Sequence, residues 1–332
     1  MRSLILTTIN PPSRAVCEYA NLRDWEVLIV GDKKTPVDWR SPNVTYLGPG
    51  DVRSRRHRIH SDLPWNHYGR KMLGYLEAIA RGATTIAESD DDNIPYDGWA
   101  FPNFGGTFAT TPADLGYVNI YSLFSKQAIW PRGLPLRRVL DPASSIDRNG
   151  LVDTEVQVGI WQGLADGDPD VDAIYRLVSG SACTFEPGSP VTLGSGTFSP
   201  FNSQNTAFRE DVFPLLYLPA FVNFRYTDIL RGVVAQPILH AAGLQLGVCQ
   251  ATVFQERNDH DFMRDFESEV PMYLTVERAH NTACEAVSSG ATVQANLQAV
   301  YAALRHIDVV TDDEVRLLDA WLEDVERLRP RC

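Results

Sequence analysis

The chain has 332 residues, with 42 Asp and Glu against 30 Lys and Arg and a formal charge of −12. A pI near 5.0 excludes the basic face with which a nucleic-acid-binding protein displaces counterions from phosphates. With 44% hydrophobic and 22% charged residues, the composition is that of an ordinary globular protein, and no apolar run approaches the roughly 20 residues that span a bilayer.

The opening MRSLILTTINPP is too short in apolar residues for a secretion signal and reads as a first strand over Leu4 to Ile9. Asn10-Pro11-Pro12-Ser13 then stops the strand, and Ser13 is placed to cap a helix over Arg14 to Leu22. Trp25 to Val30 is a near-continuously apolar second strand, as expected where both faces of a parallel sheet are covered. Asn43 to Leu47 is a brief third strand. The spacing of Met72, Leu73, Leu76, Ile79 and Ala80 predicts a helix over Tyr68 to Arg81, with Gly82 as its stop. Thr84 to Ala87 is a fourth strand, running directly into Glu88-Ser89-Asp90-Asp91-Asp92. This β-α-β order predicts an α/β fold with a doubly wound, parallel sheet, whose ligands sit at the carboxyl ends of the strands.

Between Pro95 and Pro200, glycine and proline are frequent, which predicts strands and loops with few helices. FRYTDILRGVVAQPILHAAGLQLG reads as a buried helix ending near Gly243 or Gly247. In the tail, Thr311 to Glu314 has capping-box spacing, followed by Val315, Leu318, Trp321, Leu322, Val325 and Leu328 on one face. These C-terminal helices are expected to pack on the main domain or on a second copy. The five cysteines are scattered without a CxxC pair, which disfavours a disulfide scaffold or a zinc knuckle and suggests a reduced, cytoplasmic protein.

Three consecutive carboxylates at a strand end repel one another, and a hard divalent cation removes that cost. Mg²⁺ or Mn²⁺ takes one or two carboxylates and completes its shell with water and phosphate oxygens. Because alternate side chains of a strand share a face, Asp90 and Asp92 are the pair expected to converge. A solvated acidic turn is the competing reading.

The residues around the triplet carry a resemblance. TTINPPSRAV, WEVLIVGDKKTPVDW, WNHYGRKMLGYLEAIARGATTIAESDDDNIP, NIYSLF, IWPRGLPL, GLADGDPDVDAIYRL, FNSQNTAF and FRYTDILRG, in order from about residue 3 to about 275, are similar to the STELLO glycosyltransferase-like family. A weaker similarity, through DDD, RGLP, DVDA, QNTAF and RYTD, runs to the reversibly glycosylated polypeptides, which are UDP-arabinopyranose mutases. The resemblance implies a GT-A fold over residues 1–275, followed by a C-terminal helical extension over 276–332. STELLO proteins carry a membrane anchor not found in this sequence, so a free-standing catalytic domain is expected.

The resemblance further implies a nucleotide-sugar donor of UDP type, held through Mn²⁺ or Mg²⁺ at the DxD-like triplet, with a glycan or small-molecule acceptor. Asp90 and Asp92 are expected on the metal, with Asp90 and Asp91 near the nucleotide. Asp32 is expected at the base or ribose, and Arg70 and Lys71 at the diphosphate. Arg132 matches the arginine that the mutases glycosylate, yet its flanking Trp130-Pro131 follows STELLO, so phosphate or sugar binding is the expected role. Asp228 is the expected acceptor-side acid, since a transferase that inverts needs a carboxylate beside the attacking hydroxyl. The same residue at a helix start is equally a cap. Asp168, Asp170 and Asp172 form a second acidic stretch with Asp170 and Asp172 as substrate candidates, and Gln204 and Asn205 offer amides to sugar hydroxyls. One of His240, His260 and His280 is a candidate to complete a metal shell, and Trp99, Phe101 and Phe104 are candidates to stack on a sugar. A UDP-sugar mutase and a non-catalytic scaffold for glycan synthesis are the alternatives.

Overall fold

The structure is a computed structural model that describes residues 1–179, 181–256 and 261–328. In chain order its elements are β1 (Arg2–Thr8), α1 (Arg14–Tyr19), β2 (Glu26–Gly31), β3 (Thr45–Leu47), α2 (Val52–Arg55), α3 (Lys71–Ala80), β4 (Thr85–Ser89), β5 (Asn93–Pro95), β6 (Gly105–Thr110), β7 (Gly116–Tyr117) and α4 (Leu136–Val139). There follow β8 (Val152–Asp166), α5 (Ala173–Val178), β9 (Val191–Thr192), β10 (Thr197–Phe198), β11 (Asn205–Arg209), α6 (Thr227–Ala241), β12 (Gln245–Gln255), α7 (Phe262–Ala286), α8 (Val293–His306) and α9 (Asp312–Leu328).

The central sheet has the order β3-β2-β1-β4-β11-β8-β6-β9-β12-β5. Its first four strands are all parallel, with Leu4 opposite Val27 and Ala87. Strand β11 then joins β4 and β8 antiparallel, with Asn205 facing Ser89, and the far half is mixed. Alternation along β1 shows why this half is covered on both faces. Leu4 and Leu6 enter a core with α1, Trp39, Trp99 and Trp161, while Ile5 enters the larger core built by α3, α6 and the C-terminal helices. Helix α3 lies so close to the sheet that a Cβ at Gly74 would sit 2.5 Å from Ile5 and 2.8 Å from Val30. Such a parallel half-sheet, helices on both faces and a mixed far half make a GT-A-like fold with C-terminal helices.

Ser13 caps α1 through the Val16 N–H, and Gly82 takes φ +81° after α3, as the sequence predicts. One segment differs. The helix expected to end near Gly243 or Gly247 stops at Ala241, and Gln245–Gln255 form β12, because the positive φ of Gly243 ends α6 and turns the chain back into the sheet. There Leu246 and Val248 are buried among strands β8 and β9.

The C-terminal helices spend their apolar faces on this chain's own core, through Leu297, Val300, Leu318 and Trp321. Helix α7 runs unbroken through position 275. The capping box at α9 is half made. Thr311 Oγ accepts from the Glu314 N–H, but the Glu314 carboxylate reaches away to the Ala220 and Phe221 N–H groups and the Tyr217 hydroxyl. Burial pushes Glu314 up to about 7. The folded state therefore holds a proton that the unfolded chain, with its ordinary value near 4.5, has lost, so stability falls as pH rises from that value through about 7. Melting of Glu314→Gln is expected to vary less across that window than melting of the wild type; parallel curves would show that Glu314 does not titrate there.

Candidate active site

Strands β1, β2 and β4 end side by side, and their carboxyl ends open onto two adjoining clefts. The first, with a volume of about 250 Å³, is lined by Asp90, Asp91, Asp92, Arg132, Asp170 and Asp228 among others. The second, of about 210 Å³, holds Asp32, Arg70 and His67. Thr7, Tyr68, Asp91 and Phe224 belong to both.

The three triplet carboxylates have different partners. Asp90 Oδ1 accepts from Lys71 Nζ at 3.1 Å, and the same ammonium donates to the Ser89 carbonyl at 3.0 Å. Lys71 is fully buried, so its charge serves Asp90 from behind and does not itself face the cleft. Asp91 Oδ2 accepts from Thr8 Oγ1 at 2.5 Å and Asn10 Nδ2 at 3.2 Å. Asp92 Oδ2 accepts from Gln255 Nε2 at 3.1 Å, whereas Oδ1 is buried without any hydrogen-bond partner. Removal from water, and then the neighbouring Asp90 charge, push Asp92 up to about 7. Removal from water also raises Asp90, with Lys71 pulling the other way.

An orphaned carboxylate oxygen beside a second carboxylate suits a cation that brings its remaining ligands as water and phosphate. It does not make a closed protein cage. Among the described residues, no three His, Cys, Asp or Glu side chains converge into a group able to hold a metal ion.

Opposite the triplet, Arg132 is 5% exposed and lies between two acids. Its Nε and Nη2 donate to Asp170 at 2.7 and 2.9 Å, and Nη2 also meets both Asp228 oxygens at 3.0 and 2.9 Å. Nη1 donates to the Arg225 carbonyl. The turn that delivers Arg132 requires Gly133, whose φ is +92° and whose missing Cβ leaves room for Ile229. Burial raises Asp170, but the Arg132 charge and hydrogen bonds outweigh it and hold the carboxyl below its ordinary value. Asp228 accepts additionally from the Tyr68 hydroxyl at 3.2 Å and the Ser203 N–H at 3.3 Å. Four contacts thus fall on the Asp228 carboxylate against two on Asp170, with the two Nη2 hydrogens shared among three carboxylate oxygens. Asp170, with the fewer contacts, also lines the first cleft.

In the second cleft, Asp32 accepts from the Lys33 and His67 N–H groups. Arg70 lies 3.7 Å from the centre of the Trp65 ring, with its Nε buried and unpartnered.

Other expected residues point elsewhere. Asn205 is fully buried, accepting from Trp99 Nε1 and donating to Thr252. Asp172 is also fully buried; it caps α5 through the Tyr175 N–H and accepts from Trp130 Nε1, so its effect on the cleft runs through the loop before Arg132. Asp168 pairs with Arg176. Trp99 is a core side chain, and neither Phe101 nor Phe104 lines the cleft. His240 and His280 pack against Phe198, and burial lowers both to about 4, as expected of neutral packing groups. His260 lies outside the described residues. Gln204 does reach the cleft. Tyr68, Ser203, Phe224, Arg225 and Gln255 join it unforeseen. Tyr68 and Arg225 stand inside the matched strings WNHYGRK and FRYTD, whereas nothing local marks Gln255.

The fold and the acid-lined clefts at its strand ends define the class: an α/β protein with a polar, carboxylate-rich site at the carboxyl ends of its parallel strands. Comparison with known proteins narrows this. Residues 225–331 match the family described as STELLO glycosyltransferases. The chain is 31% identical over 299 residues to "Probable glycosyltransferase STELLO2" of Arabidopsis thaliana, covering 83% of this chain and 38% of that protein. It is 28% identical over 344 residues to "Probable glycosyltransferase STELLO1" of the same plant, covering 97% of this chain and 44% of the relative. The chain is STELLO-like, and it spans less than half the length of these relatives. The similarity extends through the C-terminal helices, beyond the strings recognised in the sequence. Among the described residues no helix is long and apolar enough to cross a membrane.

Proposed function

We propose that this chain transfers a sugar from a nucleotide donor, of UDP type, to a hydroxyl of a glycan or small-molecule acceptor, with Mn²⁺ or Mg²⁺ at the acidic triplet. The observation that carries the reading is the unpartnered, buried Asp92 oxygen in a cleft at the carboxyl ends of parallel strands. The relatives' names, both probable glycosyltransferases, agree with it. Asp90 and Asp92 would hold the ion, which when bound would neutralise charge developing on the leaving diphosphate. Lys71 opposes protonation of Asp90 and holds its carboxylate in place. Asp32 and the Arg70 guanidinium line the neighbouring cleft, where the nucleotide would lie.

Across the first cleft Asp170 is the carboxylate with acceptor capacity to spare, so it orients the incoming hydroxyl, while Asp228 is occupied in holding Arg132 and Tyr68. Catalysis on this account rests on positioning and charge complementarity. Sugar attachment to Arg132 itself is disfavoured, because Nε, Nη1 and Nη2 all donate to oxygen and a guanidinium so engaged is no nucleophile. A thermal-shift screen of nucleoside diphosphate sugars tests the reading. UDP ligands are expected to raise the melting temperature only with Mn²⁺ or Mg²⁺, and turnover is expected to require an acceptor. Unchanged melting throughout would remove the donor site; ring-isomer formation from the UDP-sugar alone would establish a mutase instead.

A further inference from the structure

Phe224 is a large aromatic side chain left 50% exposed, at the one place where both clefts meet. Exposed single aromatics need no explanation by themselves, but this one is fixed in orientation. Its ring forms T-shaped contacts with Tyr68, centroids 4.8 Å apart at 82°, and with His67, at 5.3 Å and 77°. Tyr68 is anchored in turn, because its hydroxyl donates to Asp228 Oδ1 and accepts from the Asp228 N–H. The backbone after Phe224 is pinned as well: Arg132 donates to the Arg225 carbonyl, and the Arg225 side chain is paired with buried Glu269. Apart from Tyr68, every other residue lining the first cleft is charged, amide or hydroxyl. The cleft thus presents one rigid apolar face beside its carboxylates.

That combination matches the chemistry of a neutral sugar ring, which has a C–H face for an aromatic and a rim of hydroxyls for carboxylates and amides. We infer that Phe224 is the stacking platform for the sugar moiety of the donor and a determinant of which sugar is accepted. The inference rests on the donor-site reading above and assigns the platform to a residue other than Trp99, Phe101 or Phe104.

The test compares wild type, Phe224→Ala and Phe224→Trp by calorimetric titration with UDP and with a panel of UDP-pentoses and UDP-hexoses, all with Mn²⁺. Phe224 is exposed enough for alanine to leave the fold intact. UDP affinity is expected to be the same in all three proteins. Affinity for the tightest-binding UDP-sugar is expected to fall roughly three- to ten-fold in Phe224→Ala, the span of an aromatic stacking contact, and to return in Phe224→Trp. Equal weakening of UDP and UDP-sugar would overturn the inference by assigning the ring to the base, and so would unchanged affinity for both. A wild-type protein that binds neither UDP nor any UDP-sugar would remove the donor reading itself, and the platform with it.

Discussion

Arg132→Ala is expected to cost about 3–5 kcal/mol of folding stability, the penalty for removing one partner of a buried ion-pair network. The guanidinium is the shared counter-charge of Asp170 and Asp228, which are 11% and 7% exposed at their side chains. Without it two carboxylates are left facing each other out of water, and the Arg225 carbonyl loses its donor. Chemical denaturation should show the loss directly. Arg132→Lys is expected to recover little, because a point ammonium cannot span Asp170, Asp228 and the carbonyl together. Adding Asp170→Asn and Asp228→Asn to the alanine variant should restore part of the stability by removing the stranded charges. A loss below about 1 kcal/mol for Arg132→Ala, the range of an exposed pair, would show that the network is not buried as described.

Asp92→Asn separates stability from function in the opposite sense. In the ligand-free protein Asp92 carries a buried oxygen without a partner and faces the Asp90 charge. Replacing it with a neutral amide that still meets Gln255 removes that repulsion, so melting is expected to stay level or rise. Nucleotide binding in the presence of Mn²⁺ is expected to weaken roughly 10- to 100-fold, as for loss of a charged contact. A variant that melts lower and binds the nucleotide undiminished would contradict both halves. Functional sites keep such locally unfavourable groups, and relieving them trades activity for stability.

Much of the parallel half of the sheet was legible because it is written in local patterns. The β1, β2 and β4 runs are apolar on both faces, Ser13 and Gly82 mark helix ends, and the triplet follows its strand without a gap. The expected acceptor side was less legible, because it is assembled at long range. Arg132 meets Asp170 and Asp228 across 38 and 96 positions, and no periodicity encodes that meeting; only the matched strings pointed to these residues. Residue type alone does not say where packing places a side chain. Asn205 and Asp172 have the chemistry of ligand contacts, yet one bridges Trp99 to β12 and the other caps α5. Gly247 reads as well as Gly243 as the helix end because the apolar Leu244 and Leu246 fit either element, and the β8 and β9 neighbours that make Gln245–Gln255 a strand lie far away in the chain.

The proposed role of Asp90 and Asp92 as joint metal ligands is open to a direct look. Crystals grown with manganese and UDP should give an anomalous difference peak between these two carboxylates, within bonding distance of Asp92 Oδ1 and of a diphosphate oxygen. Fully occupied UDP with no such peak, or manganese bound at another place in the fold, would contradict the account.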